Sequence, residues 1–187
     1  MAKFFSNLHL VLLVGLVLTI AVIYGIGPNA EALPAALRWL HLFFGIVWIG
    51  LLYYFNFVQI PTMPKIPAEL KPGVSKHIAP SALFFFRWGA AFTVLTGLAI
   101  ALQAGYAHQA FTLQDNFRLI GIGMYLALIM AFNVWFVIWP AQKKALGLVE
   151  ADDATKAAAA TRAMIFSRAN TLLSLAMLYC MVNANGG

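Results

Sequence analysis

The residues able to do chemistry in this chain concentrate on one helical face. Advancing about 100° per residue from Arg38 gathers Arg38, His41, Gly45, Trp48, Leu52 and Asn56 into a narrow stripe, with Leu40, Phe43, Phe44, Val47, Leu51, Tyr54 and Val58 opposite. A guanidinium, an imidazole and a carboxamide are costly in an apolar segment unless turned inward, so this stripe is the first place to look for function. The chemistry it would support is ligation of a b-type haem. That cofactor needs a neutral imidazole near the membrane surface, room for a flat macrocycle and cations for its propionates. His41 supplies the imidazole and is the candidate ligand of the haem iron. Gly45, one turn deeper, removes a side chain that would meet the ring, and Trp48 would line the pocket below. Arg38, one turn toward water, is placed for a propionate, and Arg118 is a second such cation.

A second axial ligand is harder to find. His108 is expected in an outer loop, while His9 and His77 fall toward the opposite side of the bilayer. A five-coordinate haem, an inward-folded His108 or ligation across a subunit interface would each complete the site. A lone histidine about one turn inside an interface is also commonly a hydrogen-bonding residue that packs helices or meets headgroups. No second His, Asp or Glu is spaced to complete a site for another metal.

The elements that must position these residues follow from composition. Of 187 residues, 63% are hydrophobic and 10% charged, and several apolar runs reach the ~20 residues that cross a hydrocarbon core. We read an all-α integral membrane protein, a single domain of five transmembrane helices at Leu8 to Ile26, Leu37 to Ile60, Ser81 to Ala104, Leu119 to Trp139 and Ile165 to Val182; lipid cannot satisfy an open strand. Lys3 precedes the first run, but Tyr24-Gly25-Ile26-Gly27-Pro28 is a poor cleavage site, so that run is expected to stay as a span.

The net charge of +6 is distributed as a topology signal. Lys3, then Lys65, Lys71 and Lys76, then Lys143, Lys144, Lys156 and Arg162 lie at the first terminus and in two connections. The positive-inside rule puts the N-terminus in the cytoplasm and the C-terminus in the periplasm of a bacterial inner membrane, and excludes nucleic acid as the reason for the charge. Arg38 and His41 then sit near the outer surface. Pro61, Pro64 and Pro67 predict an extended, polyproline-like strap on the inner surface. Asp152 and Asp153 ahead of an alanine run predict a helix start that feeds the last span. The single Cys180 excludes an intrachain disulfide and a Cys-x-x-Cys-His haem attachment.

The other spans carry packing signals. Gly89, Thr93 and Gly97 recur every four residues, the spacing that lets helix backbones approach, and Asn170, Ser174, Met177 and Met181 share one stripe. Toward the inner end, Arg87, Asn133, Lys143, Arg168 and Asn170 form a second candidate site, for a quinone headgroup or an anionic substrate. Anchoring to anionic lipid and interhelical hydrogen bonding are the commoner roles of such residues. No carboxylate lies inside any span, so a mechanism would rest on redox positioning and not on acid-base catalysis.

Leu37-Arg38-Trp39-Leu40-His41, then Gly45, Trp48-Ile49-Gly50 and Tyr53-Tyr54-Phe55, resemble the start of the membrane domain of bacterial membrane-bound urate hydroxylases, the urate-oxidase N-terminal family. Phe86-Arg87-Trp88 with Thr96-Gly97, Asn133-Val134-Trp135-Phe136 with Pro140 and Gln142-Lys143-Lys144, and Arg168-Ala169-Asn170-Thr171 with Leu175 are similar to its later blocks in the same order. The likeness covers residues 37 to 182. More distantly, the helix from His41 to Trp48 is similar to that of haem-binding membrane protoporphyrinogen oxidases. The resemblance implies a membrane redox protein that passes electrons to or from a bound haem b, a quinone or a separate cytochrome c. It leaves open a non-catalytic accessory subunit of a respiratory or oxidase complex, in contact with other subunits or a second copy, and a purine or tetrapyrrole oxidase. It implies no catalytic residue beyond the matched Arg38, His41, Trp48, Arg87, Asn133, Lys143 and Asn170.

Overall fold

The computed structural model describes residues 2–26 and 32–184, and among these there is no strand. Five helices are long and apolar enough to cross a membrane: α1 (Leu8–Gly25), α2 (Ala32–Lys65), α3 (Lys71–Gln103), α4 (Asp115–Ala145) and α5 (Asp153–Asn183). Each contains one of the expected spans, except for Ile26 and Ala104 at two ends, and four of the helices extend beyond them, α5 by twelve residues at its start. Gly27 and Pro28, expected just beyond the first span, lie outside the described residues.

Side-chain caps start two of these helices. Asn7 Oδ1 accepts from the Leu10 amide at 3.2 Å, and Asp152 Oδ1 accepts from the Thr155 amide at 2.7 Å, in each case satisfying a backbone donor that the first turn leaves open. The alanine run after Asp152 is therefore continuous with the last span, as its composition predicts.

The expected polyproline strap is not present. Ile60–Thr62 continues α2, Met63–Lys65 forms a 3₁₀ turn, and the backbone becomes extended only at Ile66. The reason lies one turn earlier, where Tyr54–Gln59 widens into a π-helical turn. In α geometry the ring of Pro61 would strike the carbonyl four residues back. The wider turn relieves that conflict, so the helix passes through the proline. The same device recurs at Val74–Ile78 before Pro80 and at Asn133–Ile138 before Pro140. In all three, the amide of the residue before proline donates five residues back: Ile60 to Phe55, Ala79 to Val74 and Trp139 to Val134.

Helices α2 and α3 form the tightest pair and run antiparallel. His41 faces Gly97, Gly45 faces Thr93 and Trp48 faces Gly89, so the small-residue stripe of α3 is the groove that receives the stripe of α2. A Cβ on Gly89 would come 3.2 Å from the Trp48 amide nitrogen, which shows how near the two backbones lie. Helices α4 and α5 close the bundle on the other side. The common core joins Trp48, Leu52 and Phe55 with Leu83, Phe86, Met130, Val134 and Met177. Helix α1 stands apart from this core, with no buried residue, and leans on the start of α2 around Leu18, Val22 and Trp39.

Candidate functional site

The stripe on α2 is turned inward, as its polarity requires. Trp48 and Leu52 are fully buried, His41, Gly45 and Asn56 are half-buried, and Arg38 near the start of α2 is exposed. The imidazole of His41 is held by α3: Nδ1 lies 2.9 Å from the Thr93 carbonyl oxygen and 3.3 Å from Thr96 Oγ1. Thr93 donates its hydroxyl to the Gly89 carbonyl, and Thr96 donates to the Phe92 carbonyl, which holds both threonines to their own helix. A carbonyl can only accept, so the tautomer with its proton on Nδ1 is selected. Nε2 is then the ring nitrogen left with a lone pair for a ligand.

A cavity of about 50 Å³ opens beside this ring, between α2, α3, α4 and α5. Its wall includes His41, Trp48, Gly97, Met124, Met177 and Met181. The indole Nε1 of Trp48 is buried without a hydrogen-bond partner. The volume exceeds the ~10–15 Å³ that a single water needs and falls far below the ~300–1,000 Å³ of sites for larger organic ligands.

The haem b expected from the sequence meets mixed geometry here. Nε2 of His41 is presented as an axial ligand would be, with its partner nitrogen tied to a backbone carbonyl. The space around it is not that of a macrocycle: Gly45, expected to clear room, lies against Thr93, whose Cγ2 would be 3.9 Å from a Cβ at that position. Arg118, expected as a propionate cation, is bound to Asp115 at 2.6 Å on the surface. His108 lies in the short helix Ala107–Phe111 instead of a loop, and is exposed. His9 and His77 are exposed as well. The residues as packed do not fit a haem.

The second candidate site divides into two. Half-buried Asn133 and fully buried Asn170 make a brace: Asn133 Nδ2 donates to Asn170 Oδ1 at 2.9 Å, and Asn170 Nδ2 donates to the Met130 carbonyl at 2.9 Å, beside the wide turn of α4. Asn56 acts likewise, donating to the Leu52 carbonyl at 2.9 Å and to Ser167 Oγ at 2.8 Å, and Tyr53 and Ser174 share a hydroxyl hydrogen bond of 3.0 Å. These polar groups serve the interhelical contacts and satisfy backbone next to π turns. Arg87 and Lys143 gather elsewhere, over Trp139. The Arg87 guanidinium carbon stands 3.4 Å from that ring's centre and Lys143 Nζ 5.7 Å, while Trp135 Nε1 donates to the Arg87 carbonyl at 3.1 Å. Arg168 is exposed and joins neither group.

Sequence reasoning missed Met124, the cavity and the two threonines as holders of His41. The four-residue period of α3 placed Thr93 correctly but described it as a packing residue. Nothing local distinguishes a threonine that packs from one that fixes an imidazole.

Fold and site together define an all-helical protein, with five helices long and apolar enough to cross a membrane and an oriented imidazole at a small cavity. The family model described as urate oxidase N-terminal matches residues 83–185, more than half of the chain, and the chain belongs to that family. The match takes in the blocks around Phe86, Asn133 and Arg168. It begins after the His41 helix, so the resemblance read at residues 37 to 55 lies outside it. No curated protein and no solved structure matches the chain. The more distant likeness to haem-binding protoporphyrinogen oxidases finds no support in these comparisons.

Proposed function

We propose that this chain is a membrane redox protein of the urate-oxidase N-terminal family, with His41 as the residue that carries its functional centre. It would lie in a bacterial inner membrane, N-terminus in the cytoplasm, and exchange electrons with a quinone or a separate cytochrome. One observation carries the reading. The His41 ring is clamped through Nδ1 by the Thr93 carbonyl, leaving Nε2 for a ligand, and the residue lines a small cavity. An imidazole that merely packed helices would need no such vacant neighbour, whereas a ligand histidine is regularly oriented through its other nitrogen in this way.

Mixing the purified protein with a reduced quinol as donor and oxidised cytochrome c as acceptor, with cytochrome reduction followed optically, tests it. Transfer that falls at least about tenfold in His41→Ala is the expected result. Transfer unchanged by that substitution, or absent from a folded sample, overturns the reading. The family match makes urate, with an added electron acceptor, the first substrate to assay.

An accessory-subunit reading is favoured by α1, whose residues are all unburied against the rest of the chain. Such a helix faces lipid or another membrane protein, and co-purification of a partner that is lost when residues 1–26 are removed would support this alternative. At the inner end, the paired cations Arg87 and Lys143 over Trp139 suit anchoring to anionic headgroups.

A further inference from the structure

The cavity beside His41 is a convergence of soft ligands. Met124 reaches it from α4, and Met177 and Met181, one turn apart, reach it from α5. Met124 and Met177 are buried. His41 therefore lines a cavity of about 50 Å³ together with three methionines drawn from two other helices. Thioether sulfur is a poor ligand for hard divalent ions and a good one for Cu(I).

Charge points the same way. No carboxylate lines the cavity, and among the described residues no three His, Cys, Asp or Glu gather to hold a metal ion. In a low-dielectric interior the cost of losing hydration grows with the square of the charge, so a neutral ligand set admits a monovalent ion at about a quarter of the cost of a divalent one. Trp48, fully buried on the same wall, adds an aromatic ring whose quadrupole attracts cations. The volume suits one ion and is too small for a macrocycle.

We propose that the chain binds one Cu(I) ion through His41 Nε2 and the sulfurs of Met124, Met177 and Met181. Thr93 and Thr96 act as positioning residues through Nδ1. This names the occupant of the His41 site and so rests on reading that face as the functional centre. Binding itself moves no electron.

The test is an anaerobic titration of the full chain in detergent with Cu(I), in competition with a chromophoric Cu(I) chelator. One equivalent per chain is expected, with affinity lowered at least about tenfold in His41→Gln and in the Met177→Leu/Met181→Leu double variant. Leu for Met nearly conserves core volume, and Met164→Leu, on α5 away from the cavity, is expected to bind as the parent does. X-ray absorption of the loaded protein is expected to show mixed nitrogen and sulfur neighbours. No uptake by the parent, as when the cavity holds only water, overturns the proposal, as does affinity unchanged by the paired Leu substitutions. The two readings fail separately. A copper-free protein whose quinol-to-cytochrome transfer is lost in His41→Ala would overturn the copper site and keep the redox centre; a copper-loaded protein that passes no electrons between quinol and cytochrome would do the reverse.

Discussion

The His41 imidazole rests directly on Gly97: a Cβ added there would lie 2.9 Å from Cε1 and 3.3 Å from Nδ1. The absence of a side chain at residue 97 is therefore what allows the ring to reach the Thr93 carbonyl one turn away. The two positions face each other across α2 and α3, 56 residues apart in sequence.

Gly97→Ala should displace the ring and break its hydrogen bond to Thr93. Overpacking of this kind costs about 1–3 kcal/mol. Denaturant unfolding in detergent would measure it, and the His41 ring nitrogen shifts in NMR should change. Gly50→Ala, on the His41 helix with nothing within 4 Å of the added methyl, should instead be neutral or stabilising by up to about 1 kcal/mol.

Asn170→Ala removes the partner of Asn133 and uncovers the Met130 carbonyl. We expect a loss of about 1–3 kcal/mol, because buried polar groups are left unpaired. A double-mutant cycle with Asn133→Ala should return a smaller coupling, about 0.6 to 1.7 kcal/mol. Zero coupling would mean that the two side chains do not act together.

Trp139→Leu should weaken the hold on Arg87, whose guanidinium covers the ring and whose Nη1 is buried without a hydrogen-bond partner. The expected cost is about 0.5–2 kcal/mol. If the inner cations engage anionic headgroups, Arg87→Gln should also erase most of the difference in unfolding temperature between anionic and neutral bilayers. Equal lipid dependence in parent and variant would remove that role.

The Asp152 carboxyl is held below its ordinary range, first by the Thr155 amide and next by the Thr155 hydroxyl. Its folded-state value lies under the unfolded one, so the cap is complete above the usual carboxylate range and is lost as pH falls through the lowered value. The Thr155 amide resonance should report that transition. In Asp152→Asn the same resonance should show no such titration.

Much of this was legible in the chain. The five apolar runs, the inward stripe of α2, the small-residue stripe of α3 and the start of α5 at Asp152 all follow from periodicity, hydropathy and capping, which act over a few residues. The prolines misled. Pro61 and Pro64 read as a strap because proline ends most helices, yet a wide turn lets α2 continue. Pro61, Pro80 and Pro140 each follow a π-helical segment by two residues, a relation that only the structure shows. Arg118 misled for a different reason: its position suited a propionate, but Asp115, three residues earlier, offers a carboxylate at no conformational distance.

By itself the sequence determined that the chain is helical, how many of its described helices are long enough to cross a membrane and which stripe of α2 turns inward, because those properties arise from side-chain period along one helix. Only the tertiary structure decided that His41 meets Thr93 and Gly97, that Asn133 meets Asn170, and that three methionines from α4 and α5 surround one small cavity. Such pairings depend on the rotation and depth of one helix against another. Those are set by the packing of whole surfaces, which no local pattern of residues encodes.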